Sequence, residues 1–191
     1  MERPTDPESQ TRSRTRRAIL AAAASVLAQN RSATLPEVAE AAGVGRTTLH
    51  RYFPDRDALI NAAVQDSVQA IDDAVTEARL DEGSPLEAMR RLVMAYLHVG
   101  DRLVFLFNDP HVMRGYGVEN TGEPPDADPV AALIGRGQEA GLFDPELSPQ
   151  WIQHVLWALV YTGIEEISNG TLSRHGAAAT VTRTLERGIR P

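Results

Sequence analysis

The chain reads as an all-α protein on three observations. Apolar residues recur at three- and four-residue intervals through almost every stretch free of proline and glycine. Alanine-rich runs such as Ala21 to Ala24 favour helix, and aromatic residues make up only 5% of the 191. No convincing strand pattern and no internal repeat is visible. The order of elements predicts an N-terminal three-helix domain with a helix-turn-helix, followed by an antiparallel helical bundle.

Residues 1–10 hold Pro4, Pro7 and three acids with no apolar run, which predicts a mobile tail. From Thr11 the pattern turns helical. Ile19, Ala22, Ala23, Val26 and Leu27 share one face, and Arg12, Arg14, Arg16 and Arg17 crowd the first turns. Cations there oppose the helix dipole, a cost that a nearby polyanion would relieve. Thr34-Leu35-Pro36-Glu37 is a capping box with proline in the first turn, so a short helix follows through Val38, Ala39 and Ala42 to Gly43. Gly45 opens a second short helix, Arg46 to Phe53, which Pro54 ends. Two short helices joined by a glycine-containing turn of about three residues form a helix-turn-helix pattern.

A long helix from Arg56 to about Leu80 carries the apolar stripe Leu59, Ala63, Val64, Val68, Ile71 and Val75. Helices follow over 85–99 and 101–108, with Gly100 as a kink or break. Residues 108–129 hold four prolines and three glycines and read mostly as loop. Three more helices are expected over 130–140, 150–168 and 174–187. Between Trp151 and Ile164 only Gln153, His154 and Thr162 are clearly polar. A helix so apolar all round is buried on more than one side, one of them against a second subunit or, in a monomeric bundle, against other helices.

The net charge of -7 hides an asymmetry. All nineteen basic residues are arginine. Residues 11–53 carry seven of them against two acids, and residues 57–191 carry ten against twenty. A basic module on an acidic body points to a polyanionic partner at one end. The chain has no cysteine, which excludes disulfides, thiolate metal sites and cysteine nucleophiles and fits a reducing compartment. No apolar run is long enough for a membrane span. Arg16-Arg17 before the alanine run looks like an export signal, but the amphipathic helix explains the same residues, so a cytoplasmic location is expected.

In the 46–53 helix, Leu49 and Phe53 point inward with Val44 of the turn. Thr47 and Arg51 point outward, Thr48 and His50 lie on the flanks, and Arg46 stands at the exposed end. These are donors suited to phosphates and base edges. An ordinary polar face on a helical corner has the same spacing. The whole constellation is more specific. Thr15-Arg16-Arg17-Ala18-Ile19-Leu20, Val38-Ala39-Glu40-Ala41-Ala42-Gly43-Val44, Thr48-Leu49-His50-Arg51-Tyr52-Phe53 and Leu59 resemble, in order and spacing, the N-terminal domain of the TetR family of transcriptional regulators. The match covers roughly residues 11–64.

The resemblance implies a homodimer that binds a double-stranded DNA operator and answers to a small-molecule effector, with the DNA-binding domain at 11–56 and the ligand-binding and dimerisation domain at 57–191. It places Arg46, Thr47, His50 and Arg51 toward bases or phosphates, and Thr34, Thr48, Tyr52 and Arg56 toward phosphates. Gly45 stands where the family usually has serine, His50 where tyrosine is common, and Arg56 where lysine is common. A histidine at that position would make the contact pH-dependent.

Candidates for an effector pocket are Met94, His98, Phe105, Met113, Trp157 and Tyr161, with Tyr96, Phe107, His154, Glu165 and Glu166 nearby in sequence. Core packing explains the same aromatic and methionine residues. A mostly apolar lining would take an apolar or amphipathic effector. No cofactor or metal is implied, and no P-loop, G-x-S-x-G, H-E-x-x-H or dinucleotide fingerprint indicates an enzyme. The competing reading is a DNA-binding regulator governed by a protein partner, or one without a ligand, whose acidic body is the interaction surface.

Overall fold

The computed structural model of the protein describes residues 7–107 and 128–191. The described residues form the helices α1 (Pro7–Gln29), α2 (Leu35–Ala41), α3 (Arg46–Tyr52), α4 (Arg56–Glu77), α5 (Pro85–His98), α6 (Gly100–Phe107), α7 (Pro129–Glu139), α8 (Pro149–Ser168) and α9 (Arg174–Gly188), with no strand among them.

Serine, threonine or aspartate caps most of the helix starts. Ser84 accepts from the Glu87 amide, Ser148 from Trp151, Ser173 from Gly176 and Asp55 from Ala58, each satisfying an amide that the helix itself leaves unbonded. Within the stretch expected as a tail, residues 7–10 already belong to α1, which begins at Pro7, and residues 1–6 lie outside the described residues. Proline suits the first helical position because its fixed φ matches and its missing N–H has no helical partner there.

The long helix α4 stops at Glu77, short of Leu80. Arg79 takes a left-handed φ of 46°, and Arg91 fastens the turn by donating to the carbonyls of Ala78, Arg79 and Glu82 at 2.6–2.7 Å. Arg136 of α7 adds bonds to the Leu80 and Asp81 carbonyls.

Two apolar cores share the molecule. The first joins Ile19, Leu20, Ala23, Ala24 and Leu27 of α1 to Val38, Leu49, Phe53, and Leu59, Ala63 and Val64 of α4. Phe105 and Leu106 of α6 complete it. The second joins α5, α7, α8 and α9 through residues such as Leu92, Val93, Leu133, Ile134, Phe143, Ile152, Leu156, Val181 and Leu185. Ala28 and Ile71 pack against both. A cut at residue 56 therefore divides the chain where the packing does not, because the N-terminal core needs the first half of α4 and two side chains of α6.

Gly100 permits the join of α6 to the body. A Cβ there would lie 2.9 Å from Ile164 Cγ1 of α8, closer than real Cβ atoms approach a neighbour. Of the kink or break expected at Gly100 the structure has the break, with Val99 capping α5.

Candidate nucleic-acid interface and aromatic cleft

The reading head is built from the α2 cap outward. Glu37 receives both the Thr34 amide, at 2.6 Å, and the Thr34 hydroxyl, at 2.7 Å. These bonds hold the exposed Glu37 carboxyl below its ordinary pKa, because they favour the charged form. The α2 helix ends at Gly43, whose φ of 67° is the left-handed conformation that glycine adopts without steric cost. The Val44 amide then donates back to the Ala39 carbonyl at 2.9 Å, and Gly45 starts α3.

Leu49 and Phe53 anchor α3 in the core. Arg46, Thr47, His50 and Arg51 are exposed on its outer face, while Thr48 and Tyr52 are half-buried. Arg51 lies over the Tyr52 ring at 5.7 Å, and Arg16 of α1 lies over the Phe53 ring at the same distance. Arg16 thus brings a cation of α1 beside the end of α3, an attraction of charge to the ring face. Helical periodicity places Arg16 only on the α1 surface, so this neighbour of α3 is a tertiary finding. The His50 Nδ1 lies 3.4 Å from the Pro54 carbonyl.

Arg56, which the resemblance turns toward phosphate, makes hydrogen bonds within the reading head. Its guanidinium donates to the Ala33 carbonyl and, at 2.5 Å, to that of Arg31. It fixes the loop that leads into α2, and Thr34 beside that loop stays exposed.

The body contains a cleft of about 540 Å³ between α6 and α8, lined by Leu103, Val104, Phe107, His154, Trp157 and Tyr161 among others. The Trp157 ring stacks on Tyr96 with centroids 4.7 Å apart and meets Phe107 at 4.8 Å, tilted by 51°. A smaller chamber of about 180 Å³ shares Leu103, Phe107 and Trp157 with the cleft and adds Val68, Ile71 and Asp72 of α4 and Leu106 of α6. Burial, with the nearby charges of Asp128 and Asp72, raises the pKa of the Tyr96 hydroxyl well above its ordinary value.

Of the pocket candidates, Trp157 and Tyr161 line this cleft, as do Phe107 and His154. Tyr96 joins through the stack. The other described candidates lie outside this cleft. Met94 is 43% exposed on α5 and faces a separate groove against α9 with Arg90, Arg183, Arg187 and Arg190. His98 lines crevices at the α5–α6 break. Phe105 is buried in the N-terminal core. Glu165 and Glu166 lie outside the cleft lining, and Met113 lies outside the described residues. Helical spacing could not separate these cases, because α6 turns alternate residues to different cores. Among the described residues no group of three or more His, Asp or Glu could hold a metal.

A helix-turn-helix with arginines on its outer face, mounted on an all-helical body with an aromatic cleft, is the anatomy of a DNA-binding transcriptional regulator. Residues 19–63 match the model of the bacterial regulatory proteins of the tetR family. The chain is 35% identical over 191 residues to the HTH-type transcriptional repressor LfrR of Mycolicibacterium smegmatis, covering 95% of this chain and 94% of that one. It is 30% identical to the HTH-type transcriptional regulator NfxB of Pseudomonas aeruginosa, over 82% of this chain and 84% of the other. The crystal structure of LfrR in complex with proflavine superposes with a TM-score of 0.73 at 32% identity, covering 95% and 99% of the two chains. The chain belongs to the TetR family of transcriptional regulators.

Proposed function

We propose that the protein is a homodimeric repressor that reads a near-palindromic operator with α3 and is released when a small apolar or amphipathic effector fills the cleft between α6 and α8. The observation that carries the reading is the double allegiance of α6. Within this short helix, Leu103, Val104 and Phe107 line the cleft, while Phe105 and Leu106 belong to the core of the reading head. A ligand that moves α6 to fit must also move the head. The Arg102 to Asp66 ion pair ties the same helix to α4, and Val68, Ile71 and Asp72 of α4 line the adjoining chamber.

Interior packing is close, so such a shift moves between discrete arrangements. An effector that prefers the released arrangement by about 1–3 kcal/mol lowers operator affinity about 5–150-fold. The repressor named LfrR, solved with the flat three-ring dye proflavine, supports both the sign of control and an aromatic occupant.

Dimerisation is assigned to α8, whose exposed strip runs through Trp151, His154, Ala158, Tyr161, Thr162 and Glu165; His154, Ala158, Tyr161 and Thr162 also line the cleft, so a second subunit on this strip would close the open side of the cleft. Trp151 is 57% exposed and Tyr161 40%, a large apolar area to leave in water. Two heads held in this way read half-sites about one helical turn of DNA apart, or a multiple of it.

The test is to sequence genomic fragments retained by the purified protein at moderate salt, then to titrate the retained sites with aromatic compounds. A few sharp, near-palindromic sites, released by a compound that binds the cleft, are expected. Specific sites that no cleft ligand releases would point instead to control by a protein partner. Uniform or absent enrichment would overturn the operator reading.

A further inference from the structure

We propose that the aromatic cleft selects ligands that carry a positive charge, with Asp72 and Asp128 setting the sign. The inference rests on the reading of this cleft as the effector site. Trp157 stacks on Tyr96 and meets Phe107 at a tilt, an aromatic cluster that suits a flat ligand and offers ring faces and edges, the faces of which attract cations.

Among the described residues no arginine lines the cleft or the chamber beside it. The ionisable side chains that do are His154 in the cleft and Asp72 in the chamber. Asp72, exposed on α4, lines the chamber together with Phe107 and Trp157, and its charge reaches the Tyr96 hydroxyl. Asp128 stands at the start of α7. Its Oδ1 accepts the Val130 amide at 2.8 Å, and its Oδ2 accepts from Gln153 Nε2 at 2.9 Å. Gln153 lies one turn before Trp157 on α8, which sets this second carboxylate near the stack from another side.

Neither aspartate takes part in an ion pair among the described residues. Two carboxylates without a basic partner beside an apolar, ring-lined space give it a negative field. A cation that enters loses water but gains both carboxylates and the ring faces. A neutral ligand gains only contact area, and an anion is repelled. Both carboxylates act at the charge of the ligand, so they govern specificity and not the fit of the rings.

The test uses the purified full chain without DNA and two dyes with the same three fused rings. The first is 9-aminoacridine, a cation at neutral pH, and the second is acridine, which is neutral at pH 8. Calorimetric titration at pH 8 is expected to show the cation bound at least about tenfold more tightly. The Asp72→Asn change is expected to lower that preference. Adding Asp128→Asn should bring the two dyes to within about twofold of each other with acridine unmoved. Asparagine caps helices about as well as aspartate, so α7 keeps its start, and Asp72→Asn alone gives a second variant that alters no helix cap. Trp157→Ala should abolish the binding of both dyes.

Equal affinity of the native protein for both dyes would overturn the charge inference while leaving the cleft reading intact. A preference that survives in the double variant would overturn the assignment to these two aspartates. Binding that survives Trp157→Ala, or native protein that binds neither dye, would overturn the inference together with the reading of the cleft.

Discussion

Arg46 and Arg51 stand on the outer face of a helix whose inner face is held by Leu49 and Phe53. Replacing both with alanine removes exposed charge and, of the packing, only the contact of Arg51 with the Tyr52 ring. The double variant is therefore expected to keep its thermal midpoint and lose operator binding, by about 1–3 kcal/mol for each arginine that reads a base. A filter-binding curve beside a melting curve checks this, and binding that survives would remove α3 from the interface. Glu37 makes a prediction of the opposite kind. Its folded pKa is lowered by the Thr34 amide and hydroxyl, so its stabilisation is complete above the ordinary carboxylate pKa of about 4.3 and is lost as pH falls through the lowered folded value. Glu37→Gln should lower stability slightly at neutral pH, leave it nearly unchanged in acid and so flatten the pH dependence between them, as acid titration followed by circular dichroism would show.

The element that matters most is α6, and its sequence gives little warning of its role. Gly-Asp-Arg-Leu-Val-Phe-Leu-Phe is an apolar run of two turns, and periodicity alone marks it as buried. That Phe105 turns to the reading head while Phe107 turns to the cleft depends on where α1 and α8 pass, and those positions follow from packing. The same limit explains Met94 and His98. They are correctly helical, yet they sit on faces of α5 that the cleft does not use. The Thr34–Glu37 capping box was legible, because it needs only local geometry. Arg102→Ala should show whether α6 carries the signal. With the Asp66 tie gone, operator affinity without effector should hold while the effector-driven release changes by about 0.5–2 kcal/mol, measured as the shift in release midpoint. An unchanged midpoint would place the route elsewhere, along α4.

At the scale of the molecule, a basic head on an acidic body should make operator binding fall steeply with salt, since each phosphate neutralised contributes a slope of about -0.9 in log–log form. Arg46→Ala lowers that slope by about one if Arg46 holds a phosphate and leaves it unchanged if it reads a base. The exposed strip of α8 predicts a dimer in light scattering. Trp151→Asp should shift the protein toward monomer and weaken operator binding in parallel, because two half-sites are bound tightly only by linked heads. A stable dimer in that variant would assign the interface to another face. The sequence by itself determined the helices, their caps, the helix-turn-helix and the outward arginines, because each follows from neighbours within a few residues. Only the tertiary structure decided that Arg56 holds the loop into α2, that Arg16 reaches Phe53, that Tyr96, Trp157 and Phe107 form one aromatic cluster, and that α6 belongs to both cores. Those facts depend on contacts between residues far apart in the chain, which periodicity cannot reach.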